Sequence, residues 1–450
     1  MHTAQLLSKT AMVKQLLLLS LTSLLVLACT AQDRNHKGRQ FVVAFIPAAS
    51  RERRGYIGLA ISAEETTEVE IFDRITGNTD LLTVPGGSTQ LHDLPLDLRT
   101  REDFEQKGIS VTATNPVSVV GINQYLGTDT FLALPVESLD TNYIAATYRP
   151  SGIGSYACVT VVASQDFTSV RILRHRAGRA GYDAEPTVVG LNRLQTYTLV
   201  YWLDDITGTL VSASSPVAVF TGNTYARDFG HIEEQMPPIS ALGTEFMLTP
   251  VMSEGYNRDF VRVIAAYNDT EVEFHSVDFG YFETIDQGRN YDVNGRSERL
   301  PENIFHNVTC SRPCLVIQCK GWDSNQSWMT VVPPINQFSS GTHVFPAFNR
   351  DRFPDYQSYV QVLIQSGRET GMTLDGAEIA EWVDVPNSTY RAARIRVDPA
   401  SHTLEHPDPN QRFYSNVYGV PFLDFGYGNP VGISVNRINS MEMEFPPQMN

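Results

Sequence analysis

The chain is 450 residues long, 42% hydrophobic and 10% aromatic, with 34 basic against 50 acidic residues and a formal charge of −16. That apolar fraction can build a buried core and excludes a disordered chain. The acidic balance excludes an electrostatic binder of nucleic acid or anionic lipid, because like charges repel.

The first 31 residues read as a signal peptide. Lys9 and Lys14 form a weakly basic leader, Gln15 to Ala28 is apolar, and small residues up to Ala31 suit cleavage; a lipoprotein cysteine at Cys29 is the alternative. The apolar run of about fourteen residues is shorter than the roughly 20 that a spanning helix needs, so no membrane span is expected. The mature chain, 32–450, is expected to be a single repetitive domain in the extracellular space.

From Gly58 onward one phrase recurs: Gly58 to Phe72, Cys158 to Leu173 and Val261 to Phe274, anchored on Thr67, Thr168 and Thr270. A sister phrase built on proline alternates with it: Gly108 to Val120, Gly208 to Phe220 and Asn307 to Ile317. Each unit spans about fifty residues, the mark of one structural unit copied along the chain. The runs are short, alternate apolar with polar residues, are rich in Val, Ile, Thr, Phe and Tyr, and are broken by Gly, Pro, Asn and Asp, so they predict strands. Thr196 to Val200, Thr209 to Ala213 and Val217 to Thr221 are expected as successive strands, with Ser214 to Pro216 as a loop.

The expected fold is all-β, built of three- or four-stranded units, with roughly eight of them between Gly38 and Met441. A β-propeller suits this unit length and closes exposed sheet edges. Tandem β-sandwiches of about a hundred residues are the alternative.

Four cysteines follow the leader: Cys158, Cys310, Cys314 and Cys319. An even number in a secreted chain suggests disulfides. Three connectivities are open; Cys310 and Cys314 flank Ser311-Arg312-Pro313, where a hairpin is expected, and if a bridge pins it Cys158 with Cys319 would follow by subtraction. Asn268, Asn307, Asn325 and Asn387 head glycosylation sequons.

Catalytic signatures are weak. His402-Thr403-Leu404-Glu405-His406 has the H-x-x-E-H spacing of a zinc peptidase class, but Pro399, Pro407 and Pro409 leave no room for the helix it requires, so a strand or loop is expected. No nucleophile elbow, phosphate loop, dinucleotide fingerprint or EF-hand loop occurs in the sequence. Catalytic, metal and cofactor residues are therefore assigned to none. Glu64-Glu65, Asp204-Asp205 and Glu233-Glu234 could face calcium, with solvated turns as the plainer expectation. Arg51-Glu52-Arg53-Arg54 could grip a sulfated glycan, with an ordinary exposed hairpin loop as the plainer expectation. Tyr201, Trp202, Tyr225, Tyr267, Trp322 and Trp328, near predicted strand ends, could form an aromatic rim, with packing in the core and between units as the default expectation.

Leu134 to Tyr143, its echo Pro237 to Phe246, Ser214 to Asn223, and the close from Ser401 through Val417-Tyr418-Gly419 to Gly426-Tyr427-Gly428 resemble the N-terminal domain family of IgGFc-binding protein. The resemblance is distributed over nearly the whole mature chain. It implies a secreted, mucus- or matrix-associated domain with binding rather than catalytic roles, often joined to von Willebrand type D modules, of which this sequence has none. The expected function is a non-enzymatic binding or adhesion module for an extracellular glycoprotein, glycan or matrix component. Antibody Fc itself is left open. An extracellular hydrolase or lyase acting on polysaccharide is one alternative, and a structural component of an adhesive or mucous secretion is another.

Overall fold

A computed structural model describes residues 34–48, 55–124, 128–150, 154–176, 181–202, 204–226, 230–251, 260–275, 280–294, 306–320, 328–348, 356–421 and 426–443. The expected leader, the Arg51 to Arg54 run, Trp322 and Asn325 lie outside these residues. The described chain is all-β. Four short 3-10 turns, Leu96–Leu98, Val136–Ser138, Ile239–Ala241 and Ile335–Gln337, are its helical elements.

The two recurring phrases are partners across a single bend. In the first unit Tyr56–Ala63 and Thr67–Asp73 lie end to end along one long strand, Ile109–Gln124, with Ala63 opposite Val117 and Val69 opposite Ala113. The second unit sets Tyr156–Ala163 and Thr168–Leu173 along Leu210–Ala226. The third sets Phe260–Ala265 and Thr270–His275 along His306–Lys320. The expected break at Ser214 to Pro216, and the hairpin between Cys310 and Cys314, are thus corrected: the proline-bearing strand continues through the bend. Pro116, Pro216 and Pro313 fall among the residues that have no ladder partner, so their missing amide hydrogens forfeit no ladder bond.

Side chains at the bend explain why the phrases recur. The anchoring threonine closes its own turn: Thr67 Oγ1 donates to Glu65 O at 2.7 Å, Thr168 Oγ1 to Gln165 O at 2.9 Å and Thr270 Oγ1 to Tyr267 O at 2.7 Å. The next amide donates to a hydroxyl two residues before the proline. These pairs are Glu68 N to Thr114 Oγ1 at 3.2 Å, Ser169 N to Ser214 Oγ at 2.9 Å and Glu271 N to Ser311 Oγ at 2.9 Å. Amides released from the ladder by the bend are in this way still satisfied.

The first half of each long strand pairs with the opening strand of its unit, Gly38–Val43, Asp140–Ile144 or Gly243–Leu248. The second half pairs with a closing strand, Thr128–Leu132, Gly230–Gln235 or Trp328–Val332. Both fifty-residue phrases therefore share one sheet. A fourth, diverged unit pairs Tyr356–Gln365 with Tyr390–Val397 and Phe413–Pro421, and closes on Tyr427–Gly432.

The four closing strands meet at a common centre. Each packs on the next in chain order, and Tyr427–Gly432 returns to Thr128–Leu132. Asn35 bridges Ser434, and His36 N donates to Ile433 O at 3.0 Å, so the segments that begin and end the folded body are joined. One core cluster links the first and fourth units through residues such as Phe41, Phe45, Leu363 and Phe413. Another links the second and third, including Val159, Val219, Ile264 and Ile317.

Candidate functional site

Where four sheets converge, the outer edges of their closing strands present backbone amides that no strand can pair. Acidic and amide side chains satisfy them. Asp129 Oδ2 accepts from Glu233 N at 2.9 Å and from Met329 N at 3.0 Å, so it ties three units together. Glu234 Oε1 accepts from Val331 N at 3.1 Å, and Gln235 Oε1 from Leu134 N at 3.0 Å. Glu233 accepts from Ile46 N at 2.8 Å and from Asn123 Nδ2 at 2.6 Å. All of these side chains are buried. The Glu233-Glu234 pair, expected in a solvated turn, is instead interior, and burial holds the Asp129 and Glu234 carboxyls well above the usual range. These groups accept the amides of neighbouring units, which makes them edge caps. Among the described residues, no group of three or more His, Cys, Asp or Glu side chains could hold a metal ion.

The Asp204-Asp205 pair divides its roles. Asp204 is exposed, whereas Asp205 joins a clasp between the second and third units. Buried Arg262 bonds Asp205 Oδ2 at 2.7 Å and grips Asp292 through two bonds, of 2.9 Å and 2.8 Å. Burial alone would raise the Asp205 carboxyl, but the Arg262 charge and the Thr207 hydrogen bonds outweigh it and hold it low. Glu64 and Glu65 are exposed at their turn, as expected.

Cys310 and Cys314 form a disulfide, which staples both ends of the bend in the third long strand. Cys158 and Cys319 remain buried thiols on strands of different sheets, so the pairing reached by subtraction is corrected. Burial pushes the Cys158 thiol up, which keeps it protonated. His402 lies in the strand Ser401–Glu405, its Nδ1 2.7 Å from Asp375 Oδ2 and its Nε2 2.7 Å from Asp398 O. Of the aromatics named for a rim, Trp328 and Tyr267 are buried, Tyr201 and Tyr225 are half-buried and Trp202 is exposed. Asn268 and Asn387 are exposed, and Asn307 is half-buried.

The best candidate for contact lies at the junction of the first and second units. Phe167 occupies the bend turn of the second unit with 91% of its surface exposed and φ of 56°, in the left-handed region that aromatic residues avoid. Its amide donates to Asn192 Oδ1 at 3.1 Å, and Arg193 N donates to Asp166 Oδ1 at 2.9 Å, so the turn is held in place. Arg74 reaches across the junction from the first unit: Nη1 donates to Arg193 O at 2.5 Å and Nε to Gln106 Oε1 at 2.9 Å. These bonds tie together the segments that carry three exposed apolar side chains, Ile75, Phe104 and Phe167, beside the exposed Arg193.

Backbone strain gathers in the same segments. Among the described residues six non-glycine residues have positive φ, and Asp103, Phe167 and Leu194 are three of them. The sister units supply an internal comparison for Leu194. Its amide donates to Ala163 O, as Gly87 N does to Ala63 O and Gly288 N to Ala265 O, so glycine fills this left-handed position in the first and third units. Leu194 is buried against the core of the first unit, and Gly108 accommodates it: a Cβ there would lie 2.6 Å from Leu194 O. Packing thus offsets the strain at Leu194, whereas the Phe167 turn is held by its hydrogen bonds, as the matching Asp269 turn of the third unit is, and leaves the aromatic ring in water. Column-by-column comparison of the repeated phrases could have found Phe167, since polar Thr66 and Asp269 stand at the matching places.

The IgGFc binding protein family matches residues 129–419 of the chain. Human IgGFc-binding protein is 23% identical over 394 residues, covering 83% of this chain and 7% of that protein. The chain therefore spans a small fraction of the length of this relative. Among solved structures, a GH78 family rhamnosidase of Bacillus sp. GL1 is 9% identical, covers 70% of this chain and 55% of its own, and has a TM-score of 0.13. A Ca2+-stabilized adhesin with which an Antarctic bacterium binds ice is 12% identical, covers 88% and 98%, and also has a TM-score of 0.13. Neither likeness carries an argument about fold or function. Among the described residues no helix is long and apolar enough to cross a membrane.

Proposed function

We propose, from the premise that the chain belongs to the IgGFc binding protein family, that it is a secreted, non-enzymatic binding module whose contact surface centres on Phe167. The partner class is an extracellular glycoprotein, its glycan or a matrix component, and antibody Fc enters as a probe because the human relative carries that name.

The observation that carries this reading is an exposed aromatic in a left-handed turn held by hydrogen bonds on both sides, with Arg193 bonded to that turn and exposed Ile75 and Phe104 on the segments that Arg74 ties to it. The third unit holds Asp269 in the same left-handed turn, with its amide bonded to Asp286 Oδ1 at 3.3 Å, so the repeat fixes the backbone and the second unit alone of these two displays an aromatic on it. Aromatic and arginine side chains are also the types that dominate binding energy at interfaces. The leader pattern and sequons support secretion. The buried carboxylates at the centre are engaged by backbone amides, which speaks for scaffold rather than catalytic use.

The test is interferometry of the purified chain against immobilised IgG Fc, a mucin-type glycoprotein and a deglycosylated copy of each, with the Phe167→Ser variant in parallel. Binding to at least one glycoprotein is expected, weakened about 10- to 100-fold by the substitution, since burying a phenylalanine contributes on the order of 1.5–3 kcal/mol. No binding to any probe, or binding indifferent to Phe167, would overturn the proposal. Release of reducing ends from a polysaccharide panel would favour the hydrolase alternative.

A further inference from the structure

We infer that Asn268 and Asn387 carry N-linked glycans and that Asn307 does not, an inference that rests on the proposed secretion. The chemistry is transfer of an oligosaccharide from a lipid pyrophosphate donor. The asparagine Nδ2 bonds to the anomeric carbon, the bond from that carbon to the pyrophosphate oxygen breaks, Nδ2 loses a proton, and the lipid pyrophosphate leaves. The acceptor must reach the enzyme as unfolded chain, and the folded protein must then house the sugar.

Asn268 stands at the bend turn of the third unit, exposed to water. Its Oδ1 accepts from Gln287 N at 3.2 Å, and among the described residues no hydrogen bond engages its Nδ2. A sugar on that nitrogen leaves the Oδ1 bond intact. Thr270 is buried and bonded to Tyr267 O, so the hydroxyl of this sequon is sealed once the chain folds and transfer has to come first. Asn387 is exposed with φ of 55°, at a turn that Ser388 secures by donating to Val385 O at 2.8 Å. Among the described residues no hydrogen bond uses its side chain, while its backbone oxygen accepts from Asn307 Nδ2.

Asn307 differs in each respect. It lies within the long strand of the third unit, between Met247 and His275 of the flanking strands. Its Nδ2 donates to Asn387 O at 3.3 Å across the junction with the fourth unit, and its Oδ1 is buried. A sugar on that nitrogen would break its bond to Asn387 O and sit against the flanking strands, so folded chain carries none there.

The placement bears on recognition. Asn268 and Asp269 of the third unit correspond to Asp166 and Phe167 of the second, because both pairs precede the anchoring threonine. A glycan at Asn268 covers the third unit's copy of this turn and leaves the Phe167 copy bare for a partner.

The experiment expresses the full chain in a eukaryotic cell line with its own leader and, in parallel, with the leader of a secreted carrier. Protein from medium and cell membranes is deglycosylated enzymatically in heavy-oxygen water, which marks formerly glycosylated asparagines for peptide mass spectrometry. Marks at Asn268 and Asn387 and none at Asn307 are expected, with Asn268→Gln and Asn387→Gln each increasing gel mobility and Asn307→Gln leaving it unchanged. A marked Asn307 in secreted protein, or an unmarked Asn268 or Asn387, overturns the inference. If the expected pattern arises only with the carrier's leader, the secretion reading fails and the glycan assignment stands.

Discussion

Phe167 and Leu194 adopt the same kind of backbone with opposite fates for their side chains. Leu194 gains a buried contact with the neighbouring unit, while Phe167 projects into water. A bulky residue in the left-handed region costs roughly 1–2 kcal/mol, and glycine avoids that while losing about 0.5–1 kcal/mol in chain entropy. Phe167→Gly is therefore expected to leave the melting temperature unchanged or slightly raised while weakening partner binding; a clear fall in melting temperature would assign Phe167 a structural role. The disulfide permits a second residue-scale prediction. Ala113 with Val117 and Ala213 with Val217 hold the same bend that Cys310 and Cys314 bridge, so the bend does not need sulfur to form. A loop this short stabilises by about 2 kcal/mol in the chain-entropy picture. The Cys310→Ala, Cys314→Val double variant should fold with a cost near that figure in urea titration, and an unfolded variant would contradict it.

At the scale of elements, the closing strands pose the main physical problem, since each is the edge of its sheet and all four edges meet indoors. Buried amides need acceptors, and Asp129, Glu233, Glu234 and Gln235 provide them. Burial raises the Asp129 and Glu234 carboxyls. Their contribution to stability is therefore complete below about pH 4, the ordinary carboxylate value, and is lost as pH rises through their elevated values. Asp205 behaves in the opposite sense: it is held low by Arg262, and its contribution is present above about pH 4 and lost as pH falls. Asp129→Asn removes one titrating group at the centre and replaces one acceptor oxygen by a donor, at a cost of about 1–3 kcal/mol. Its melting temperature should fall less steeply than that of the unsubstituted chain as the pH is raised from about 4, the ordinary carboxylate value. Parallel slopes would show that Asp129 does not drive the alkaline loss.

For the whole molecule, closure is the governing fact: four units surround one centre, and the Asn35 and Ser434 segments seal the circuit. A chain ending at Thr342 would expose the edges of Thr128–Leu132 and Trp328–Val332 and strip Thr130 Oγ1 of its bond to Asn429. It should aggregate on size-exclusion chromatography, and a monomeric fragment with a cooperative melt would refute the dependence on closure. The all-β character and the repeat were legible in the sequence because they follow from local alternation and from Thr67, Thr168 and Thr270, whereas the prolines read as hairpin loops because a missing amide hydrogen looks the same at a loop as at a bend within one strand. The burial of Glu233-Glu234 and the separation of Cys158 from Cys319 were not legible, because each depends on which unit lies beside which. By itself the sequence determined strand chemistry and the copied unit, since these are set by neighbours within a few residues. Only the tertiary structure decided that acidic side chains would cap converging edges, because amide satisfaction is a property of surfaces brought together from a hundred residues apart.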